Sequence, residues 1–260
     1  MRIRIELVGQ DYIVLKAGFN RALQGLIYSM IRDEWLHEVG YTYGKRSFRL
    51  FVYSSILEKG KYKKETKTFI FPKNVSFLVA SPLNWILEKL AYGIISSNKL
   101  RLDNNIVDVI SISVLKQQSI NSEKILVKTI TPIEVHSTFE KKGVKKTLYY
   151  SAYDPEFAEM INANMKKKWE AFFKKPCPYN IYIKPAGKNK ERIVRFGTNE
   201  RYVIVKGWSG FFELTGHPEF LSFALDAGLG SRNAQGFGMV EVVREKKREQ
   251  KRSVKGAYSE

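Results

Sequence analysis

The chain has 260 residues and carries 44 Lys+Arg against 26 Asp+Glu, a formal net charge of +18. With 44% apolar and 27% charged residues it reads as a folded protein, with room for one large or two small domains. A single cysteine, Cys177, excludes an internal disulfide and a multi-cysteine metal site, and histidines scattered at 37, 136 and 217 show no metal-ligand spacing, so neither metal nor cofactor is expected.

Residues 2–8 (RIRIELV) alternate as a half-buried strand rather than a secretory signal. No apolar run reaches the ~20 residues a membrane span needs, so a cytoplasmic setting without membrane contact is expected. Asn20 is the expected cap of a helix over 21–34, with Leu23, Leu26, Ile27, Met30 and Ile31 as its apolar stripe. Gly40 and Gly44 break the next stretch, and strands are predicted over 48–56 and 68–80. Pro82 opens a helix striped by Leu83, Ile86, Leu87, Leu90 and Ile94, and strands near 99–103 and 106–115 follow. The order β-α-β-β-α-β is the ferredoxin-like pattern also used by RNA-recognition modules.

The polar run Gln117 to Glu123 marks the expected boundary. Beyond it come strands near 124–133 and 144–151, a helix over 155–173 led by Asp154-Pro155, strands near 179–186, 191–196 and 202–215, a short helix after His217-Pro218, and a closing strand in MVEVV. The fold class is therefore α+β, two tandem ferredoxin-like modules over 1–120 and 121–243, with a basic tail over 244–260. The tail has seven basic and three acidic residues, so the body keeps a charge of +14. A basic folded body points to a polyanionic partner. Further basic clusters lie at 59–67, 141–146 and 166–168.

The run Gly228 to Gly238 (GLGSRNAQGFG) has four glycines, at 228, 230, 236 and 238, between a helix and a strand. It is neither a dinucleotide fingerprint nor a P-loop, because it leaves a helix and lacks G-K-[ST]. Its glycines can turn backbone N–H groups toward a phosphate, with Arg232 supplying charge. Four glycines exceed what a tight turn needs.

This loop, before the last strand of a basic two-module chain, resembles the repeat-associated RNA-processing proteins of CRISPR systems. LQGLIYSMI (23–31), WLHEVG (35–40) and RLFVYS (49–54) are similar to the first helix, following loop and second strand of the endoribonuclease that cuts precursor CRISPR RNA. The resemblance implies metal-independent cleavage of repeat RNA by its 2′-hydroxyl, leaving a 2′,3′-cyclic phosphate and a 5′-hydroxyl. The partner would be CRISPR repeat RNA, with effector-complex subunits and a homodimer left open. A non-catalytic RNA-binding subunit of an effector complex is the alternative.

On that resemblance His37 is the acid/base candidate, since imidazoles exchange protons near neutral pH. Tyr28 would orient the 2′-hydroxyl or the scissile phosphate. Where the family commonly has a lysine this chain has Arg49, which stays charged but cannot donate a proton; it is preferred for the cation role over Lys45, four residues earlier, and Arg46 is the expected phosphate contact. RNA contacts are expected from Gly228, Gly230, Ser231, Arg232, Asn233, Gly236 and Gly238. His136 and His217 read as structural. Tyr28 and His37 lie nine residues apart, on opposite faces of any continuous helix, so the catalytic pairing requires the helix to end before His37.

Overall fold

The structure is a computed structural model and describes residues 1–116, 119–197 and 202–243; the tail and part of the expected boundary lie outside these residues. The N-terminal half runs β1 (Arg2–Gly9), β2 (Ile13–Lys16), α1 (Asn20–Ile31), α2 (Glu34–Glu38), β3 (Tyr41–Tyr43), β4 (Arg46–Phe48), β5 (Val52–Tyr53), β6 (Lys61–Lys63), β7 (Thr68–Phe71), β8 (Asn74–Ala80), α3 (Asn84–Ile95), β9 (Leu100–Leu102) and β10 (Asn105–Leu115). The C-terminal half runs β11 (Lys124–Thr129), β12 (His136–Lys141), β13 (Val144–Tyr149), α4 (Pro155–Phe173), β14 (Ile181–Pro185), β15 (Lys190–Gly197), β16 (Tyr202–Ser209), β17 (Phe211–Gly216), α5 (Pro218–Ala227) and β18 (Val240–Val242).

The first sheet has the antiparallel order β5-β8-β1-β10, extended at its edge by β9. The second has the order β14-β17-β11-β18, again antiparallel. Within each β-α-β-β-α-β unit the strands therefore stand second-third-first-fourth. The shared order makes both halves ferredoxin-like although their sequences show no repeat. Ile3, Ile5 and Leu7 of β1 are buried at alternate positions, as the period of a one-sided strand requires. Helix α3 passes so near α1 that a Cβ on Gly93 would lie 2.0 Å from the Met30 carbonyl oxygen. In the second half Trp169 of α4 packs edge-on against Phe220 and Phe223 of α5. No helix among the described residues is long and apolar enough to cross a membrane.

Several expected elements are shorter or divided. Helix α1 ends at Ile31 because Arg32 turns left-handed at φ 49°. Phe19 rather than Asn20 occupies its cap position; the Asn20 carbonyl instead accepts the Tyr53 hydroxyl at 2.7 Å. Left-handed Leu50, at φ 51°, leaves only β5 of the strand expected over 48–56. Pro72, which has no N–H for a ladder, separates β7 from β8, and Gly210 at φ 150° turns β16 into β17.

The halves share one hydrophobic core. Across it Arg2 donates to the Val240 carbonyl at 2.7 Å and the Met1 ammonium pairs with Asp226 at 2.8 Å. The glycine-rich run docks against α1, where Gln24 donates to the Ala234 carbonyl at 2.7 Å.

Candidate active site

A cleft of about 680 Å³ opens where α1, α2 and the β3–β4 hairpin meet the glycine-rich loop. Tyr28, His37, Arg46 and Arg49 line it from the N-terminal half, and Gly230, Ser231, Arg232 and Asn233 from the C-terminal half. Most of the expected site residues, drawn from two stretches about 200 residues apart, thus face one cavity. Lys45 is not among the lining residues; it is exposed in the β3–β4 turn. Gly228, Gly236 and Gly238 are buried behind the lining.

The break at Arg32 decides the N-terminal wall. Asp33 caps α2 by accepting the Leu36 N–H at 2.8 Å and is itself held by Lys89 Nζ at 2.6 Å. Those bonds, Lys89 first, hold its carboxyl below the usual range. The turned-back α2 brings the His37 ring edge-on to Tyr28, with centroids 4.7 Å apart at 83°. His37 therefore stands on a short second helix, where the sequence suggested a loop. Its Nδ1 lies 2.6 Å from Glu38 Oε1, and both side chains are more than half exposed.

Arg49 ties this wall together. Its Nε and Nη2 donate to the His37 carbonyl at 3.1 and 2.6 Å, Nη2 also to Glu38 O at 3.2 Å, and Nη1 to Val39 O at 3.2 Å and to Ser47 Oγ. The guanidinium gathers the carbonyls that end α2, a favourable place for a cation. Burial raises the Tyr28 hydroxyl above its ordinary value, and the nearby Arg49 guanidinium opposes this in smaller measure. Gly40, at φ 64°, permits the approach, since its Cβ would meet Phe48 O at 2.6 Å.

On the C-terminal wall all four glycines have a packing reason. Each has positive φ, and added Cβ atoms would sit 2.6 Å from Asn233 Nδ2 at Gly228, 2.4 Å from Glu134 O at Gly230, 2.9 Å from Tyr53 Cε2 at Gly236 and 1.9 Å from Leu229 O at Gly238. The N–H groups of Gly228, Gly236 and Gly238 donate to Ala224 O, Asn233 O and Pro132 O. The glycine count thus reflects close backbone approach more than a row of N–H groups aimed at an anion. Asn233 is likewise turned inward, donating to Leu229 O and Phe237 O at 3.0 Å each. Ser231 and Arg232 remain on the cleft face.

Two features escaped the sequence reading. The Lys168 ammonium lies buried beneath the loop and donates to Gly228 O at 2.7 Å, Gly230 O at 2.9 Å and Asn233 Oδ1 at 2.6 Å. Burial pulls it down to about 7, and three oxygen acceptors oppose loss of the proton. The clue was its phase: with Phe157, Ile161, Met165 and Trp169 buried on α4, position 168 falls on the inward face. The second is Glu134, fully buried, 2.5 Å from His136 Nδ1 and 3.8 Å from Arg232 Nε. His136 lines the cleft, whereas His217 caps α5 and stacks on Tyr179 at 4.3 Å. No three His, Cys, Asp or Glu among the described residues come together to hold a metal ion.

Known proteins match the chain in sequence and fold over nearly its whole length. Residues 115–242 match the family model described as CRISPR associated protein Cas6, C-terminal. The CRISPR-associated endoribonuclease Cas6 1 of Methanocaldococcus jannaschii is 27% identical over 258 residues, 97% of this chain and 96% of that protein. The CRISPR-associated endoribonuclease Cas6 of Pyrococcus furiosus is 27% identical over 248 residues, 93% and 90% of the two chains. A solved CRISPR associated protein Cas6 superposes with a TM-score of 0.74 at 25% identity, covering 94% of this chain and 99% of its own. A Cas6-related protein from Pyrococcus furiosus reaches 0.80 at 22% identity, over 95% and 99%, a likeness of fold. Two ferredoxin-like sheets, relatives matched over nearly their whole length and a C-terminal match to the family model together make the chain similar throughout to CRISPR-associated endoribonucleases of the Cas6 type.

Proposed function

We propose that this protein binds CRISPR repeat RNA across its cleft and cuts the precursor within each repeat by metal-independent attack of a 2′-hydroxyl. The products are a 2′,3′-cyclic phosphate and a 5′-hydroxyl. The observation that carries this reading is the meeting of Tyr28 and His37, 4.7 Å apart, in a cleft shared with the glycine-rich loop. His37 protonates the leaving 5′-oxygen. The Tyr28 hydroxyl, kept neutral by burial, orients the reacting phosphate as a hydrogen-bond donor. Arg49 is a positioning residue, because its donors hold the end of α2, and with it His37, in place. Arg46, Ser231 and Arg232 contact the RNA backbone, while Gly228, Gly230, Asn233, Gly236 and Gly238 shape the wall. The two modules are 1–120 and 121–243, with the cleft at their junction.

The test is a denaturing gel of protein and cognate repeat RNA in excess EDTA, beside the same RNA carrying 2′-deoxy before the cut. Cleavage of the first and survival of the second is the expected result. Binding without cleavage of either would move the protein to a guide-holding role. His37→Ala should slow single-turnover cleavage ~10²-fold or more with affinity retained.

A further inference from the structure

In-line attack by a 2′-hydroxyl needs a proton acceptor as well as the donor assigned to His37, and the N-terminal wall offers none. The arginines lining the cleft stay protonated. Tyr28 is pushed up by burial and is a neutral hydroxyl at neutral pH. Lys168 has its ammonium directed at three protein oxygens below the loop. One side chain lining the cleft remains that can accept a proton and is not yet given a role, the imidazole of His136.

Its surroundings are those of an oriented base. Glu134 has no solvent exposure and lies 2.5 Å from His136 Nδ1. A carboxylate only accepts, so Nδ1 is the donor to Glu134, and in the neutral form of the ring the lone pair is on Nε2. The His136 side chain is 23% exposed and lines the cleft, so Nε2 is the nitrogen available to a ligand there. The dyad is held from three sides. The Glu134 backbone carbonyl accepts the Ser231 N–H at 2.8 Å, Tyr149 of β13 stands 6.0 Å from the imidazole, and Arg232 of the loop faces the second Glu134 oxygen, 3.8 Å away. That oxygen has no hydrogen-bond partner. A buried carboxylate is costly to keep unless an opposite charge or hydrogen-bond donors offset its lost hydration. Here it faces a ring that would become positive as it gains a proton.

We propose that His136, positioned by Glu134, is the general base of the cleft. The assignment rests on the endoribonuclease reading above. His136 Nε2 takes the 2′-hydroxyl proton as the 2′-oxygen bonds to phosphorus; the P–O5′ bond breaks, and the 5′-oxygen leaves with a proton from His37. The two imidazoles end with exchanged protonation, which solvent restores. The two halves of the chain thus supply one proton-transfer group each.

The experiment is single-turnover cleavage by the full chain on two matched repeat RNAs, one normal and one with sulfur as the 5′-bridging atom, whose thiolate leaves without a proton. His37→Ala is expected to recover on the sulfur substrate. His136→Gln is expected to be ~10²- to 10⁴-fold slow on both substrates with repeat affinity retained, which also reports that the variant is folded. Glu134→Gln, which can donate to Nδ1 and so reverse the tautomer, is expected to be slow on both with affinity retained. Wild-type rates for His136→Gln, or its recovery with sulfur, would overturn the base assignment while leaving the nuclease reading intact. A loss of affinity that accounts for the whole effect would overturn it too. A wild-type protein that cuts neither RNA would overturn both readings.

Discussion

On one side of the cleft His37 stands on a five-residue helix whose carbonyls Arg49 gathers near the surface; on the other the glycine loop lies on an ammonium almost wholly removed from solvent. The same contrast separates the two histidines. The His37 side chain is 57% exposed and its carboxylate partner 67%, whereas His136 is 23% exposed and its partner not at all. Exposed ion pairs contribute little to stability and exchange freely with water. Buried polar groups fix a single geometry and are costly to disturb. The N-terminal wall is therefore the more adjustable face of the cleft, and the C-terminal wall is a preformed surface.

Lys168→Met is the harshest way to break that contrast. It removes the donor from three buried oxygens, each of which costs ~1–3 kcal/mol when left unsatisfied. At least ~3 kcal/mol of destabilisation is expected, a fall in melting temperature of about 6–12 °C for a chain of this size. A thermal melt showing less than ~1 kcal/mol of change would mean that the loop holds its shape through Asn233 and the glycines alone. Repeat affinity should fall with stability, since Ser231 and Arg232 are carried on the same loop.

The opposite wall gives a different signature. Arg49→Lys keeps the charge but loses the planar fork that reaches the carbonyls of residues 37, 38 and 39. Cleavage should drop ~10-fold, about 1.4 kcal/mol in barrier, with affinity and melting temperature nearly unchanged. A parallel loss of affinity would make Arg49 an RNA contact instead.

How far the sequence foretells these walls depends on how local their causes are. The tandem ferredoxin-like order follows from alternation and helical stripes, and both sheets have it. The motif singles out Tyr28 and His37, and nine residues of spacing let their rings meet only if the helix ends between them, as it does at Ile31. The left-handed turn at Arg32 that ends it carries no glycine or proline to announce it. The glycine run is visible in the sequence, but its packing reason is not, because close approach of Leu229, Glu134, Asn233 and Tyr53 is a tertiary fact. Lys168 was read with its neighbours as a basic cluster, although its phase on α4 places it among buried residues. Glu134 and His136 stand two apart, near the start of a hairpin the sequence reading saw only in its second strand.

A smaller perturbation probes the helix that carries His37. Asp33→Ala removes the cap of α2 and should cost ~1 kcal/mol, visible as faster hydrogen exchange over 34–39 and a several-fold slower cleavage. Because the Asp33 carboxyl is held below its ordinary value, its contribution is complete above about pH 4, the unfolded value, and is lost as pH falls through the lower folded one. Wild-type exchange over α2 should thus quicken on acidification below that point, while the variant, already uncapped, should show little of this added dependence. Equal acid sensitivity in both would place the sensitivity elsewhere.

Lys45→Ala should do least, and its value lies in that. Lys45 sits in the turn between β3 and β4 with its side chain exposed and does not line the cleft, while the Arg49 donors are engaged by the carbonyls that end α2. An exposed side chain away from packed or paired groups changes stability by ~0.5 kcal/mol or less. Cleavage within about a factor of two of wild type follows if the transition-state charge is met by Arg46, Arg232 and the two imidazoles, since ~0.5 kcal/mol of barrier is about that factor. A tenfold or larger loss in single-turnover rate, with affinity intact, would instead mean that the β3–β4 hairpin closes over bound RNA and delivers Lys45 to the phosphate. The adjustable wall would then supply a cation that the RNA-free geometry leaves at the rim, and the contrast between a movable and a fixed wall would extend from stability to the chemical step.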